Sequence, residues 1–258
     1  MLLLASDLDN TLLFSHRRRR PGDLCVEWLE GNPQGFMTPA TRAALAALPA
    51  SVRLLPVTTR SVAQYRRIRW PEGAEPEYAI TTNGGVLLGR DGPAPAWLAD
   101  SQALAAPFQA DLQRLYDALP SQSWCLRRKM VDGLYLFAVC PEGIDMDACA
   151  ALFRGRQPLD VAPSGRKLYF FPPGLHKGGA VSAARRLFAP ERLICAGDSP
   201  LDLSMLRLAD LALVPDETLA RQLPETPVEI CPAEARFSEF VLQRATELAD
   251  TSDALRRA

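Results

Sequence analysis

The chain begins with MLLLASDLDNTL, residues 1–12, and this stretch decides the fold. Leu2–Ser6 is a short, continuous apolar run, which is typical of a strand buried on both faces of a parallel sheet. Two carboxylates, Asp7 and Asp9, follow it directly. Carboxylates beside a buried strand are costly unless a positive group neutralises them. The stretch therefore predicts a central strand that delivers two acids to a ligand site at its carboxyl end.

Strands and helices alternate near both ends of the chain. Apolar runs predict strands at residues 52–57, 78–82, 193–196 and 211–214. Helical patterns begin near five positions, namely Thr38, Ser61, Lys177, Asp202 and Phe237. This alternation predicts parallel strands joined by right-handed crossovers. The fold class is therefore α/β, with a Rossmann-like, doubly wound parallel sheet.

The pattern changes in the middle of the chain. The predicted elements there are a helix at 102–119, strands at 124–129 and 134–139, a helix at 145–154, and strands at 159–162 and 167–171. This order predicts a small antiparallel sheet with two helices on one face. We therefore predict a discontinuous catalytic core, residues 1–86 and 172–258, with an inserted α+β cap domain, residues 87–171. Hinges are expected near residues 86–89 and 172–174.

The composition excludes several classes of partner. The 258 residues carry a net charge of −1, which gives no general attraction to nucleic acids or acidic membranes. No apolar run is long enough for a membrane span and no secretory signal is recognisable, so the expected location is cytoplasmic. The six cysteines lack metal or redox spacing, and no dinucleotide, Walker-type or serine-hydrolase motif is present. The oligomeric state stays open.

Four polar segments come at the ends of predicted core strands or at the start of a core helix. They are residues 7–11, residues 58–60, Lys177 and residues 197–202. Carboxylates suit a hard divalent cation, whereas a hydroxyl and an ammonium suit an anion. Together they predict a site for a small-molecule phosphate ester with Mg²⁺.

The residue types also predict a mechanism. Asp7 attacks phosphorus and forms an aspartyl-phosphate, while Asp9 protonates the leaving oxygen and then deprotonates the hydrolytic water. Thr58 and Lys177 hold the phosphate oxygens. The predicted metal-binding residues are Asp7, Asp9 (through its backbone carbonyl), Asp198 and Asp202.

These motifs resemble those of the haloacid dehalogenase-like (HAD) superfamily, specifically its phosphatases with a large cap after the second motif. Asp7-Leu8-Asp9-Asn10-Thr11-Leu12 is similar to the nucleophile motif, with Asn10 where many members have Gly. Thr58 and Arg60 are similar to the second motif, with Thr59 replacing a frequent Gly. The resemblance covers essentially the whole chain.

The later motifs fit the same resemblance with one departure. Lys177 is similar to the third motif, and Asp198 with Asp202 to the acidic fourth motif. Leu201 stands where many capped members have an Asn that helps to orient the phosphate or the lysine. Asn83 and Gly84 resemble the segment that leads into the cap and often touches substrate.

The cap order resembles that of sucrose-phosphatase, mannosyl-3-phosphoglycerate phosphatase, trehalose-6-phosphate phosphatase and phosphomannomutase. This resemblance implies a phosphorylated sugar as the substrate. The candidate substrate-binding residues are Thr11, Thr59, Arg60, Asn83, Gly84 and Arg128. Strand alternation points Arg128 away from its neighbours Arg127 and Lys129, so only some of the three face the cleft.

Two alternatives remain open. A phosphotransferase or phosphomutase would use the same aspartyl-phosphate, and a non-catalytic module would bind the phosphorylated ligand without turnover. A dehalogenase is disfavoured because its chemistry does not use the second carboxylate at Asp9. The basic run Arg17–Arg20 is either a solvated loop or part of a flap that contacts substrate or cap.

Overall fold

The computed structural model describes the backbone of residues 1–257 and the side chains of residues 1–251. In chain order the strands are β1 (Leu2–Ser6), β2 (Phe14–Ser15), β3 (Leu24–Leu29), β4 (Asn32–Met37), β5 (Val52–Pro56), β6 (Ala79–Thr81), β7 (Val86–Gly89), β8 (Gly92–Pro93), β9 (Arg127–Val131), β10 (Tyr135–Val139), β11 (Asp160–Ser164), β12 (Lys167–Phe171), β13 (Arg192–Ala196), β14 (Leu211–Val214) and β15 (Val228–Ile230). The α-helices are α1 (Pro39–Ala46), α2 (Val62–Tyr65), α3 (Pro95–Ala105), α4 (Gln109–Ala118), α5 (Met146–Ala151), α6 (Lys177–Phe188), α7 (Leu203–Leu206), α8 (Glu217–Ala220) and α9 (Phe237–Arg257).

The central sheet is parallel and has the order β15-β14-β13-β1-β5. Because side chains alternate along β1, Leu2 and Leu4 pack in the cluster that includes residues of α1 and α9. Leu3 and Ala5 pack on the opposite face against residues of α6 and α7. The sheet is therefore covered on both sides, which confirms the doubly wound α/β prediction.

A second, antiparallel sheet has the order β11-β12-β10-β9 and lies within the predicted insertion. One face buries Leu136 and Phe170 under residues of α4 and α5. The other face carries Tyr135, Phe137 and Tyr169, which belong to an apolar cluster that includes core residues such as Val62. The insertion is thus an α+β layer with two distinct faces.

Several element bounds differ from the sequence expectations. The helix expected at 102–119 begins earlier, at Pro95, and is interrupted by a 3-10 turn at Ala106–Phe108 before α4. Pro107 explains the break because it cannot donate a helical hydrogen bond. The predicted hinge at 86–89 coincides with β7, which pairs with β6 on one side and β8 on the other. The domain boundaries at 86/87 and 171/172 stay a prediction.

A hairpin of β3 and β4 projects from the loop after β1 and is called the flap here. Its turn is Glu30-Gly31, with φ of 51° and 78°, one residue earlier than the stretch 31–35 expected from sequence. Two consecutive positive φ values fit a two-residue hairpin turn. Arg17, in the basic run before the flap, pairs with Glu142 of the insertion (2.6 Å). Among the described residues, no helix has the length and apolarity that crossing a bilayer requires.

Candidate active site

The predicted motifs meet at the carboxyl edge of the central sheet. Asp7 follows β1, and its backbone N–H donates to the Ala196 carbonyl at the end of β13 (2.8 Å). Thr58 follows β5 and is fully buried. Lys177 begins α6, whose amino end is capped by the His176 side chain. Parallel strands present their carboxyl ends at one edge, so distant segments of the chain share this site.

A buried lysine joins two of these segments. Lys177 is 2% exposed, and its Nζ donates to Oδ1 of Asp7 (2.5 Å) and to Oδ1 of Asp202 (2.6 Å). Burial lowers the pKa of a lysine, but the charges of Asp202 and Asp7 outweigh that effect and raise the pKa of Lys177 above its ordinary value. Lys177 is therefore a permanent cation between two carboxylates.

Asp202 also organises the loop that carries Asp198. Its Oδ2 accepts hydrogen bonds from the backbone N–H groups of Asp198 (3.1 Å) and Ser199 (3.0 Å) and from the Ser199 hydroxyl (2.9 Å). Gly197 makes this approach possible, because a Cβ at that position would clash with the Asp202 side chain. Both oxygens of Asp202 are thus already hydrogen-bonded within the protein.

The acidic cluster fits a divalent cation. Carboxylate oxygens of Asp7, Asp198 and Asp202 all lie within 4.8 Å of one another. Burial raises the pKa of Asp7 well above its ordinary value, and burial together with the charge of Asp202 raises the pKa of Asp198 to about 7. One ammonium does not balance three carboxylates, and an all-oxygen donor set suits Mg²⁺. Asp202 accepts four hydrogen bonds within the protein, so Asp7 and Asp198 are the less engaged carboxylates of the cluster.

Asp9 is held by an ion-pair network that sequence reasoning missed. Arg60 donates from Nε (2.9 Å) and Nη2 (2.8 Å) to the two oxygens of Asp9, and from Nη1 to Glu27 of the flap (2.8 Å). Glu27, 1% exposed, also accepts from Arg67 (2.8 Å). Although burial raises the pKa of a carboxyl, the charge and hydrogen bonds of Arg60 lower the pKa of Asp9 to about 2. The charges of Lys167 and Lys177 act in the same direction.

The assignment of Arg60 as a substrate-binding residue stays a prediction. Both arms of its guanidinium are engaged by Asp9 and Glu27, so in this structure it binds protein carboxylates. The available sequence signal was the single acid, Glu27, inside an otherwise largely apolar strand. Its partner was not predictable, because it lies 33 residues away on another element.

The segment after β6 connects loops around the site. Asn83 is 3% exposed, its backbone N–H donates to the Thr58 carbonyl (3.0 Å), and its side chain donates to the Leu175 carbonyl (2.9 Å). The Gly84 carbonyl accepts from the Trp97 indole (2.9 Å). These contacts tie the second motif to the segment before Lys177. The substrate-binding assignment of Asn83 and Gly84 stays a prediction.

Two residues of the second motif, Thr58 and Thr59, accept hydrogen bonds that hold the loop after β5 in place. The Thr58 hydroxyl accepts from the Arg60 backbone N–H (3.1 Å), which fixes the turn after β5. The Thr59 carbonyl accepts a hydrogen bond from the Tyr135 hydroxyl of the cap sheet. Tyr135 was absent from the sequence prediction, because nothing in an apolar strand marks one tyrosine as a contact to a distant loop.

Three further sequence expectations have clear structural outcomes. Asn10 has a φ of 63°, which explains why a position occupied by Gly in many similar motifs accepts Asn. Thr11 is fully buried and its hydroxyl has no hydrogen-bond partner among the described residues, and its substrate-binding assignment stays a prediction. Leu201 packs, half-buried, against the apolar cluster of Tyr135 rather than offering an amide.

Arg128 lies on the helix-covered face of the cap sheet, and its assignment to the substrate stays a prediction. Its guanidinium lies over the ring of Tyr116 on α4, 4.1 Å from the ring centroid. Arg128 pairs with Ala138, which belongs to the helix-covered face of the cap sheet, whereas Lys129 pairs with Phe137 on the core-facing side. The alternation of the strand was predictable from sequence, but the face that meets the core was not.

Solved structures share this architecture over nearly the whole chain. The chain has the haloacid dehalogenase-like fold. Sucrose-phosphatase from Synechocystis sp., solved with sucrose and phosphate, is 16% identical with a TM-score of 0.63, covering 96% of this chain and 98% of its own. A trehalose-6-phosphate phosphatase related protein is 14% identical with a TM-score of 0.62, covering 97% and 99%. A haloacid dehalogenase-like hydrolase from B. subtilis is 15% identical with a TM-score of 0.58, covering 93% and 99%.

No family model and no curated protein matches the sequence. At these identities the similarity concerns the HAD-like fold and its cap. The chemistry must therefore be argued from the residues at the sheet edge.

Proposed function

We propose that the chain is a phosphatase that hydrolyses a small phosphorylated metabolite, of the sugar phosphate class, through an aspartyl-phosphate on Asp7. The observation that carries this proposal is the contact of buried Lys177 with Asp7 and Asp202 beside the carboxylate of Asp198. An ammonium and a cation-binding acid cluster around one carboxylate provide what nucleophilic attack on a phosphate dianion requires.

The residues divide the reaction into two balanced steps. A carboxylate oxygen of Asp7 forms a bond to phosphorus while the ester P–O bond breaks, and the leaving oxygen takes a proton from Asp9. Water then attacks phosphorus, its proton goes to Asp9, and the bond between Asp7 and phosphorus breaks. Lys177 and Thr58 are assigned to the phosphate oxygens, where charge is spread in the transition state.

Asp7 and Asp198, with the backbone carbonyl of Asp9, would hold Mg²⁺. When bound, this ion screens the negative charge of the phosphate from the Asp7 carboxylate. Asp202, whose oxygens are hydrogen-bonded to Lys177 and to the 198–199 loop, is assigned to orienting those groups. Asp202 is also one of the three clustered carboxylates, so it remains a candidate ligand.

The role of Asp9 requires a rearrangement at Arg60. Both Asp9 oxygens are bound by the Arg60 guanidinium in the structure, and that contact favours the carboxylate form. Asp9 therefore transfers protons only after Arg60 has released at least one oxygen. The carboxylate form is the one that the second step, deprotonation of water, needs.

The substrate class rests on the similarity of the fold to sucrose-phosphatase and to a trehalose-6-phosphate phosphatase related protein. The net charge of −1 supports small-molecule partners over nucleic acids or membranes.

All six cysteines are free thiols, which supports a reducing, cytoplasmic location. The core of residues 1–86 and 172–258 with a cap of residues 87–171 is part of the same proposal.

The test is phosphate release from a panel of sugar phosphates and an aryl phosphate, with Mg²⁺ or with a chelator. We expect Mg²⁺-dependent release, lost in Asp7→Asn, which keeps the size of the side chain. Isomerisation of a sugar 1-phosphate without free phosphate would indicate a phosphomutase instead. Tight binding of an ester without any turnover by the folded, metal-loaded protein would indicate a binding module.

A further inference from the structure

The core-facing side of the cap sheet carries a group of cations. Lys129 on β9 lies opposite Phe137, and Arg127 lies opposite Val139. Lys167 on β12 lies opposite Val139 from the other side. Phe137 and Val139 belong to the apolar cluster that meets the core. Because directly paired residues share a face, Arg127, Lys129 and Lys167 point to that same side.

Residues paired across neighbouring strands form rows in the cap sheet, and these rows show how far each cation lies from the residues that contact the second motif. The row of Tyr135 touches the second motif, since its hydroxyl donates to the Thr59 carbonyl. The row of Phe137 with Lys129 is one step further, and the row of Val139 with Lys167 is two steps further. One step is two residues along a strand, or about 7 Å.

The Lys167 side chain leans back toward the catalytic edge. Its Nζ lies 5.1 Å from the ring centroid of Phe137 and 5.9 Å from that of Tyr169, both in the row nearer the site. Its charge acts on Asp9, as described above. Lys167 is half-buried, so the two rings restrict where its ammonium points.

No carboxylate of the described residues forms an ion pair with Arg127, Lys129 or Lys167. Neighbouring basic residues behave differently, since Arg17 and Arg166 both pair with Glu142. The chain has only three lysines, and all three lie at the candidate site or on the sheet face beside it. This face therefore keeps positive charge available for a ligand.

We propose that Lys129 and Lys167 bind a second anionic group of the substrate at the row of Phe137, one strand row beyond Tyr135. The substrate is then a phosphate monoester with a carboxylate or a second phosphate at its other end, rather than a neutral sugar phosphate. Phe137 and Tyr169 are themselves buried, and their rings position the Lys167 ammonium. This inference rests on the proposed function and specifies its substrate class.

The experiment compares esters that differ only in the distal charge. Gluconate 6-phosphate and glucitol 6-phosphate have the same length and differ in a terminal carboxylate or hydroxymethyl group. Glucitol 1,6-bisphosphate tests a distal phosphate, and 3-phosphoglycerate against glycerol 3-phosphate tests a shorter spacing. We expect kcat/KM to be about tenfold higher for gluconate 6-phosphate than for glucitol 6-phosphate, with a smaller preference at high salt.

Variants separate this subsite from the catalytic machinery. Lys129→Gln and Lys167→Gln should each raise KM about fivefold for the distally charged esters, and less than about twofold for glucitol 6-phosphate, with little change in kcat. Arg114→Gln is the matched control, because Arg114 is an exposed cation of α4 on the opposite side of the sheet. It should leave both esters unchanged.

Two outcomes would overturn the inference. They are equal use of charged and neutral esters by the unmodified protein, and equal losses for both in the lysine variants. Binding of each ester to Asp7→Asn with Mg²⁺, measured by calorimetry, decides the same question without turnover. An absence of phosphate release from every ester would contradict the proposed function, while the binding preference would still decide the subsite.

Discussion

At Lys177, a fully buried ammonium faces Asp7 and Asp202, and the charge balance around it governs what the site binds. Three clustered carboxylates exceed this single positive charge, so the folded protein retains protons that an exposed aspartate would release. Cation binding and proton binding therefore compete for the same oxygens. The competition is greatest at Asp198, whose raised pKa lies near neutral pH.

This competition predicts how Mg²⁺ stabilises the protein as pH changes. Burial and the charge of Asp202 raise the pKa of Asp198 to about 7 from an ordinary 3.8, so the folded, metal-free protein binds the extra proton. Its stability therefore falls as pH rises between these values. Mg²⁺ displaces that proton, so the gain in Tm from Mg²⁺ should be larger at about pH 8 than at about pH 6.

Thermal unfolding with Mg²⁺ or with a chelator measures this gain at each pH. In Asp198→Asn the gain should be smaller and should depend less on pH, because one of the two titrating carboxylate ligands is absent. An unmodified protein with the same Mg²⁺-induced Tm gain at both pH values would contradict the assignment of Asp198.

At the scale of elements, the amino end of α6 has to approach the turn of α7 closely. Gly178 donates its backbone N–H to the Ser204 hydroxyl (3.0 Å), and a Cβ at Gly178 would clash with the Ser204 carbonyl. At the neighbouring Gly179 an added Cβ would fit without a clash, since it would lie 3.5 Å from its nearest neighbour, an atom of the His176 ring. The two adjacent glycines thus differ in the space available for a Cβ.

This difference gives a matched pair of substitutions. Gly178→Ala should lower the free energy of unfolding by about 2 kcal/mol, because the clash is with backbone that has no rotamer to change. It should also weaken Mg²⁺ binding, because Lys177 and Asp202 shift with the helix. Gly179→Ala should be neutral or stabilise by up to about 1 kcal/mol, since alanine favours a helix more than glycine does.

Urea unfolding monitored by circular dichroism compares the two variants. Equal effects of the two substitutions would show that close packing against Ser204 does not hold Lys177 in place. The pair also controls for helix propensity, because both positions lie in the first turn of α6.

The sequence predicted the elements whose signals are local. The apolar run of β1 and the polar residues after β1, β5 and β13 were readable because burial and strand ends leave their pattern within a few residues. The contacts of Glu27 with Arg60 and of Tyr135 with Thr59 could not be predicted from the sequence, because each joins elements distant in the chain. The face on which Arg128 lies was not predictable for a related reason, since alternation gives two faces without saying which one meets the core.

At the scale of the whole molecule, the cap sheet meets the core through the β9–β10 hairpin. Its turn residue Asp132 accepts from the Thr82 hydroxyl (2.5 Å) and from the Val62 backbone N–H (3.1 Å). Tyr135 adds the hydrogen bond to the Thr59 carbonyl. The second motif is therefore bounded by core residues on one side and by the cap on the other.

The Tyr135 hydroxyl should control the order of the second motif. Burial, the neighbouring Tyr169 and nearby acids raise the pKa of Tyr135 well above its ordinary value, so it remains a donor at every working pH. Tyr135→Phe keeps the ring and removes this donor, and should lower the free energy of unfolding by about 1 kcal/mol. Amide hydrogen exchange in the peptide spanning residues 58–62 should become faster, because the Thr59 carbonyl loses its partner from the cap.

Tyr169→Phe is the matched control for this substitution. Tyr169 lies on the same face of the cap sheet and is equally buried, but among the described residues its hydroxyl makes no hydrogen bond to the core. In Tyr169→Phe, the rate of amide hydrogen exchange in residues 58–62 should equal that of the unmodified protein. If both variants exchanged alike, the cap would order the second motif through apolar packing alone, and the order of the catalytic edge would not depend on this one phenol.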